Sequence, residues 1–509
     1  MSRISSRSLS PLVFLPLPVV FILFQTRKLR GLVMKRTQSE YVTSQPSRRP
    51  LKIFASDPML GRTAGNRLTI DVANENLGAG PTGKRYFMEP TNEDVLAFHE
   101  GFSDIVALFQ HFSFKEILRQ QIQKSRTDLR SNTLLVQLAR QFGYATGAGK
   151  ALRSALDKPE AKLYKTTYEP HLRGSILVAA VFDAYFATYQ RRIRDLVRIA
   201  TGGSGELPSG DLHPDLVNRI AAEASATAQQ ILTMCMRAFD YLPPVDITFG
   251  DYLRALVTAD YELVPDDEFG ERGAMIEAFR LRGIYPENVA SLAEESLLWE
   301  NADPGIPGLP LEGLDMLQEL FFAAADFGNV SAPWSTWGQS TSRSGSSFQE
   351  ADSDMALTSS MAQILHQYAE QNRQHFHLSE DPTIKIEVHG FHPVFRVAPN
   401  GQLLIELVAQ FAQTDRSKVT ELGGLPLRGG TTLVASANGK IRYVISKPLP
   451  SANLEPGKQK EAQARLERQR TYLKLTDLAD PKLSYASQQQ IANRMRLRMN
   501  LASLHQGVS

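Results

Sequence analysis

Three residues able to do chemistry, His99, Glu100 and Asp104, sit mid-way along VLAFHEGFSDIVALFQHF, Val95 to Phe112, a stretch that as a helix is apolar round nearly its whole circumference. An all-round apolar helix is a buried helix. Carboxylates buried there must meet cations, hydrogen-bond donors or a metal, because leaving them without partners costs several kcal/mol. Glu100 and Asp104, four apart, share a helix face, whereas His99 and Glu100 diverge by about 100°. In that arrangement one carboxylate can bind a metal while the other orients a neighbouring ligand. The HExxH pattern, in which two histidines hold zinc and the glutamate activates water, is not met. Its fifth position is Ser103, and the chain has neither a second His-Glu pair nor an H-x-x-E-H run.

What remains is E-x-x-x-D inside an apolar helix, which resembles the third-ligand helix of thermolysin-like zinc metallopeptidases, the gluzincins. Two further stretches resemble the same family in the same order. EPHLRGSILVAA, Glu169 to Ala180, is similar to the loop and helix start that present a histidine to the transition-state oxyanion. Tyr241 to Pro286 is similar to the family's C-terminal ending, with its Tyr-Leu-x-Pro entry, Phe249, Arg254 and Ala255 on one helix, and Ala278-Phe279 before Gly283-Ile284. The resemblance covers roughly Glu89 to Pro286. It implies Glu100 as a zinc ligand, Asp104 as the carboxylate that orients a zinc-binding histidine, His171 as the oxyanion stabiliser, and peptide or protein substrates.

The chain departs from the family where the chemistry is. The HExxH helix and most of a β-rich lobe should precede the E-x-x-x-D helix, yet only Leu51 to Tyr86 stands there, with strand-like runs at Leu51 to Ala55 and Arg67 to Val72. The resemblance implies that a segment about the size of a domain has been lost between about Lys84 and Phe87. Zinc catalysis needs three protein ligands, an open position and a general base. The expectation is therefore a degenerate or truncated metallopeptidase homologue that holds little or no zinc and does not hydrolyse peptides. The alternative is a non-catalytic binding or scaffolding protein acting through its C-terminal part. A third possibility is a relic of a gene deletion.

The elements that must position these residues read as mostly helical. Helices are expected at Phe114 to Lys124, Asn132 to Phe142, Gly174 to Ile199, Pro214 to Phe239, Phe249 to Asp260, Arg272 to Arg282 and Leu311 to Phe327. The Ser- and Gly-rich run Asn329 to Ser347 marks a linker. Beyond a helix at Asp352 to His377, alternating strands surround Pro399-Asn400-Gly401 and then Asn438-Gly439, and the second dipeptide is a strong hairpin signal. A basic helix follows at Gly457 to Leu475. The expected fold is mainly α. A thermolysin-like all-α domain (87–327) follows a truncated β-rich lobe (51–86), and a linker (328–350) leads to a small separate α+β module (351–480) and a basic tail (481–509).

Composition adds bounds. The 509 residues suffice for two to four domains, and 42% hydrophobic residues support packed cores. A net charge of +2 gives no reason to expect nucleic acid, and the arginine-rich stretch Tyr189 to Arg198 reads as a solvated helix face. GYATGAGK, Gly143 to Lys150, lacks the spacing and hydroxyl of a phosphate loop. The single cysteine, Cys235, excludes an internal disulfide and reads as a buried thiol. His375, His377, His389 and His392 lack a completing cysteine or carboxylate and read as surface or packing residues. At the N-terminus (1–50), Pro11 to Phe24 is apolar between basic residues but short for a membrane span. Translation starting at Met34 would imply a cytoplasmic protein; retention of 11–24 would imply a membrane anchor or export.

Overall fold

The computed structural model describes residues 51–53, 68–70, 91–129, 159–311, 362–397 and 403–479, apart from isolated positions within those ranges. The helices expected at Asn132 to Phe142 and Leu311 to Phe327, the linker, the two termini, Gly143 to Lys150 and the Pro399-Asn400-Gly401 turn lie outside the described residues.

Strands β1 (Leu51–Ile53) and β2 (Leu68–Ile70) form a short antiparallel pair. The helical body follows: α1 (Glu93–Gln110), α2 (Lys115–Ser125), α3 (Ala161–Thr166), α4 (Pro170–Ala200), α5 (Pro214–Arg237) with a 3-10 turn at Ala238–Tyr241, α6 (Phe249–Leu263), α7 (Glu271–Leu281) and the single turn α8 (Glu294–Leu297). Helix starts are built from local chemistry. Asn92 Oδ1 accepts the Asp94 amide ahead of α1. Glu169 accepts the amides of His171 and Leu172 at the start of α4, where Pro170 needs no amide partner. Thr248 and Asp251 cap each other reciprocally before α6.

Phe98, Phe102 and Ile105 of α1 pack with Leu177, Val181 and Tyr185 of α4, Ile220 and Ile231 of α5, and Tyr252 and Leu256 of α6 in one buried cluster. That cluster also contains Val434, Tyr443 and Ile445, which belong to strands far along the chain. Strands β3 (Ile386–Val397), β4 (Leu403–Asp415), β5 (Leu427–Ser436) and β6 (Ile441–Lys447) form an antiparallel sheet in that order. The Asn438-Gly439 turn joins β5 to β6, with Gly439 at φ +82°, a left-handed conformation that suits glycine.

Alternation sorts the strands' side chains between two neighbours. One face meets the helical body: Thr432 Oγ1 donates to Leu242 O at 2.6 Å, Glu406 accepts from Tyr241 Oη at 2.8 Å, and Lys447 pairs with Asp251 at 2.9 Å. The other face, with Leu407, Ala409, Phe411, Leu433 and Ala435, packs on Leu365, Tyr368 and Ala369 of helix α9 (362–371) and on Phe376. The last described helix, α10 (Pro456–Ala479), contributes Leu466 to a small cluster with Leu422, Leu427 and Leu449.

This corrects the expected fold class. A thermolysin-like all-α domain followed by a separate module is not what forms: the sheet is a middle layer that shares the helical body's core. The physical reason lies in Tyr241-Leu242-Pro243-Pro244. Pro244 reaches the sheet where a Cβ on Gly430 would stand 2.6 Å from its Cγ, so only glycine there lets segment and strand touch. Of the stretch 51–86 only β1 and β2 are described; they fall within the strand-like runs Leu51 to Ala55 and Arg67 to Val72 and pair with each other. Among the described residues no helix is long and apolar enough to cross a membrane.

Candidate carboxylate and imidazole site

Helices α1 and α4 cross at Gly101 and Gly174. A Cβ on Gly101 would lie 2.7 Å from Gly174 O, and one on Gly174 would lie 2.8 Å from Ala97 O, so the backbones touch with no side chain between them. Three residues before Gly174 stands His171, and beside Gly101 stands Glu100. The crossing brings His171 Nδ1 to 3.4 Å from Glu100 Oε2, with both side chains mostly buried. Asp104, one turn further along α1, is near enough for both charges to act on it. Its carboxyl is pushed up to about 7 by burial and by the Glu100 carboxylate, against the opposing pull of His171.

A second constellation fixes this geometry. Asp94, in the first turn of α1, accepts from Arg173 Nε at 2.6 Å, Tyr164 Oη at 2.7 Å and the Phe249 amide at 2.8 Å. Arg173 lies over the Tyr164 ring at 4.1 Å and donates to Tyr164 O and Thr167 O. One buried ion pair thus ties α1, α3, α4 and the start of α6 together, two residues from His171. No local sequence pattern singles out this pair. An acidic residue at a helix start looks like ordinary dipole compensation, and the only hint was an arginine inside an otherwise apolar helix entry.

His99 points elsewhere. It is buried against Phe98, its Nδ1 has no hydrogen-bond partner among the described residues, and burial holds its imidazole down at about 4. Cys235 is buried, with its thiol pushed up to about 12, the state of an inert packing residue. The arginines of α4 are partly spent on α7: Arg191 donates to Phe269 O and Gly270 O, and Arg192 pairs with Glu271 at 2.8 Å. In the sheet region His377 Nδ1 bonds Ser446 Oγ at 2.9 Å.

The cluster of Glu100, Asp104 and His171 has the groups to exchange protons and to hydrogen-bond an amide, carbonyl or ammonium group. It does not fit a resident zinc, which takes three or four protein ligands converging at about 2.0–2.3 Å. Among the described residues no group of three or more His, Cys, Asp or Glu side chains is placed to hold a metal ion, and Glu100 faces His171 itself. No protein-family model, curated protein or solved structure matches the chain.

Proposed function

We propose that this chain is a degenerate relative of zinc metallopeptidases that does not hydrolyse peptides as it stands. The observation that carries the reading is the meeting of Glu100 and His171 at 3.4 Å. Two positions selected by motif alone, 71 residues apart by their numbers (171 − 100), come together beside Asp104. Histidines to complete a zinc centre and a base to activate water are lacking from the recognised motifs, so no catalytic step runs through a metal. The role left to the cluster is recognition, with the imidazole and carboxylates hydrogen-bonding a peptide-like ligand.

Zinc per chain, measured by elemental analysis after purification in metal-replete, chelator-free buffer, is expected to be far below stoichiometric. No chelator-sensitive cleavage of an unstructured substrate is expected either. Stoichiometric zinc that disappears in Glu100→Ala would sink the reading and restore an enzyme. The second reading, a scaffold acting through its sheet, has less to work with. Both faces of the central strands β4 and β5 are covered, and the outer edge strand β3 carries a bulge between Val388 and Gly390 and a proline at Pro393, features that blunt strand addition.

A further inference from the structure

Five of the eight large apolar side chains exposed among the described residues lie round α3: Leu163, Tyr168, Leu172, Leu281 and Tyr285, each 41–51% exposed. Two contacts draw them together. A Cβ on Gly283 would run into Ala161 O, so the loop after α7 touches the start of α3, and Leu163, Leu281 and Tyr285 each stand two residues from that touch. Arg173 Nη1 donates to Tyr164 O at 2.6 Å and to Thr167 O at 2.8 Å, which ties the end of α3 to the first turn of α4. Tyr168 follows Thr167 in the chain, and Leu172 precedes Arg173. Helix α3 itself buries no residue, and its six residues are too few to hold a helix on propensity alone. Apolar side chains gathered on a surface in this way mark an interaction site, whereas singly scattered ones do not.

The patch runs up to the cluster of Glu100, Asp104 and His171. Leu172 is the residue after His171, whose imidazole reaches Glu100 at 3.4 Å, and Asp104 stands one turn beyond Glu100 on α1. All three polar side chains are partly exposed. Their charge leans one way. Asp104 is acted on by Glu100 from its own helix and by His171 from α4, and by no lysine or arginine of the described residues. Two carboxylates beside one imidazole are the complement of a cation. Lys162 and Lys165, exposed on α3 among the apolar residues, disfavour a cation on the patch itself. A ligand that fits both therefore places its basic group at the cluster and its apolar groups on the patch.

Taking the cluster's role as recognition, on which this rests, we propose that patch and cluster form one docking surface for a peptide segment in which a lysine or arginine is flanked by apolar side chains. The cation meets Glu100 and Asp104, and the apolar groups cover Leu172, Tyr168 and Leu163.

The test selects a random heptapeptide display library on the full chain, then reads fluorescence anisotropy of the selected peptides against the wild type, Glu100→Gln and the double variant Tyr168→Ser/Leu172→Ser. Enriched sequences are expected to carry a lysine or arginine beside leucine, phenylalanine or tyrosine. Their affinity should fall about tenfold or more in the double variant, which loses two half-exposed apolar side chains that the ligand would cover. The thermal midpoint of that variant should not move, because both positions are on the surface; Tyr168→Ser alone decides the matter if the double variant fails to fold. Binding should also tighten as pH rises through about 7, where Asp104 ionises, and this gain should shrink in Asp104→Asn. Peptides that bind the double variant as tightly as the wild type, yet weaken in Glu100→Gln, would remove the patch while leaving recognition at the cluster in place. Enriched sequences that are acidic, or that lack apolar side chains, overturn the proposal in the same way. If nothing is enriched over an unrelated protein, or if the peptides are indifferent to both variants, docking surface and recognition role fall together, and the zinc measurement still judges the loss of catalysis by itself.

Discussion

Gly101 and Gly174 stand face to face where α1 and α4 cross, each so close to the other's backbone that neither has room for a methyl group. This contact sets the distance between the helices and therefore the distance between Glu100 and His171. Replacing Gly101 or Gly174 by alanine gains about 1 kcal/mol of helix propensity. It also drives a Cβ into backbone that cannot swing aside, an overpacking cost of about 1–3 kcal/mol or more. Net destabilisation is expected from both variants in denaturant titration, together with a change in the His171 imidazole resonances. An alanine at either position that stabilises the protein would show that the helices separate freely.

The Asp94 and Arg173 pair should be the most sensitive polar point near the site. Removing one partner leaves a charge buried, so Asp94→Asn or Arg173→Met is expected to cost about 3–5 kcal/mol. The double variant should cost clearly less than the sum, because it leaves no orphaned charge. Additive losses in the cycle would mean the two groups act independently, despite the 2.6 Å contact.

Two groups on α1, the buried His99 and the half-buried Asp104, should pull the pH dependence of stability in opposite directions. Asp104 is raised from 3.8 to about 7, so the stability contributed by its protonated form is full below about 4 and is lost as pH rises through about 7. His99 is lowered from 6.5 to about 4, so its contribution is full above about 6.5 and is lost as pH falls through about 4, amounting to about 3 kcal/mol. Between pH 4 and 6.5 the two slopes oppose each other. Unfolding free energy measured across that window should rise with pH in Asp104→Asn and fall with pH in His99→Phe, relative to the wild type. Asp260, pushed up to about 6 by burial, is common to all three proteins and drops out of the comparison.

Because the sheet shares the helical core, helices and sheet should unfold together. Native-state hydrogen exchange is expected to give the central amides of β4 and β5 the same opening free energy as those of the buried half of α4. Two separated free energies would restore the picture of an independent C-terminal module.

Gly430→Ala tests the seam directly. The added methyl would stand 2.6 Å from Pro244 Cγ and 2.8 Å from Phe411 O. A loss of about 1–3 kcal/mol is expected from the forced separation. An unchanged midpoint would mean that the Pro243-Pro244 segment yields.

The sequence by itself determined the elements whose rules are local. Apolar periodicity placed α4, α5, α6 and α7 to within a few residues at most of their ends, and Asn438-Gly439 announced the hairpin because a tight turn needs residues that accept such backbone angles. The shared face of Glu100 and Asp104, and the divergence of His99, follow from helix geometry alone. Tertiary structure decided the rest. Which arginine meets Asp94, whether the sheet stands apart or lies on the helices, and that α10 turns Arg465 inward all depend on contacts between residues 79 to 222 positions apart. No local pattern encodes such pairings: a glycine at 101 or 430 looks like any other until a second backbone arrives, and an arginine in a basic helix looks solvated until a carboxylate from another element is folded against it.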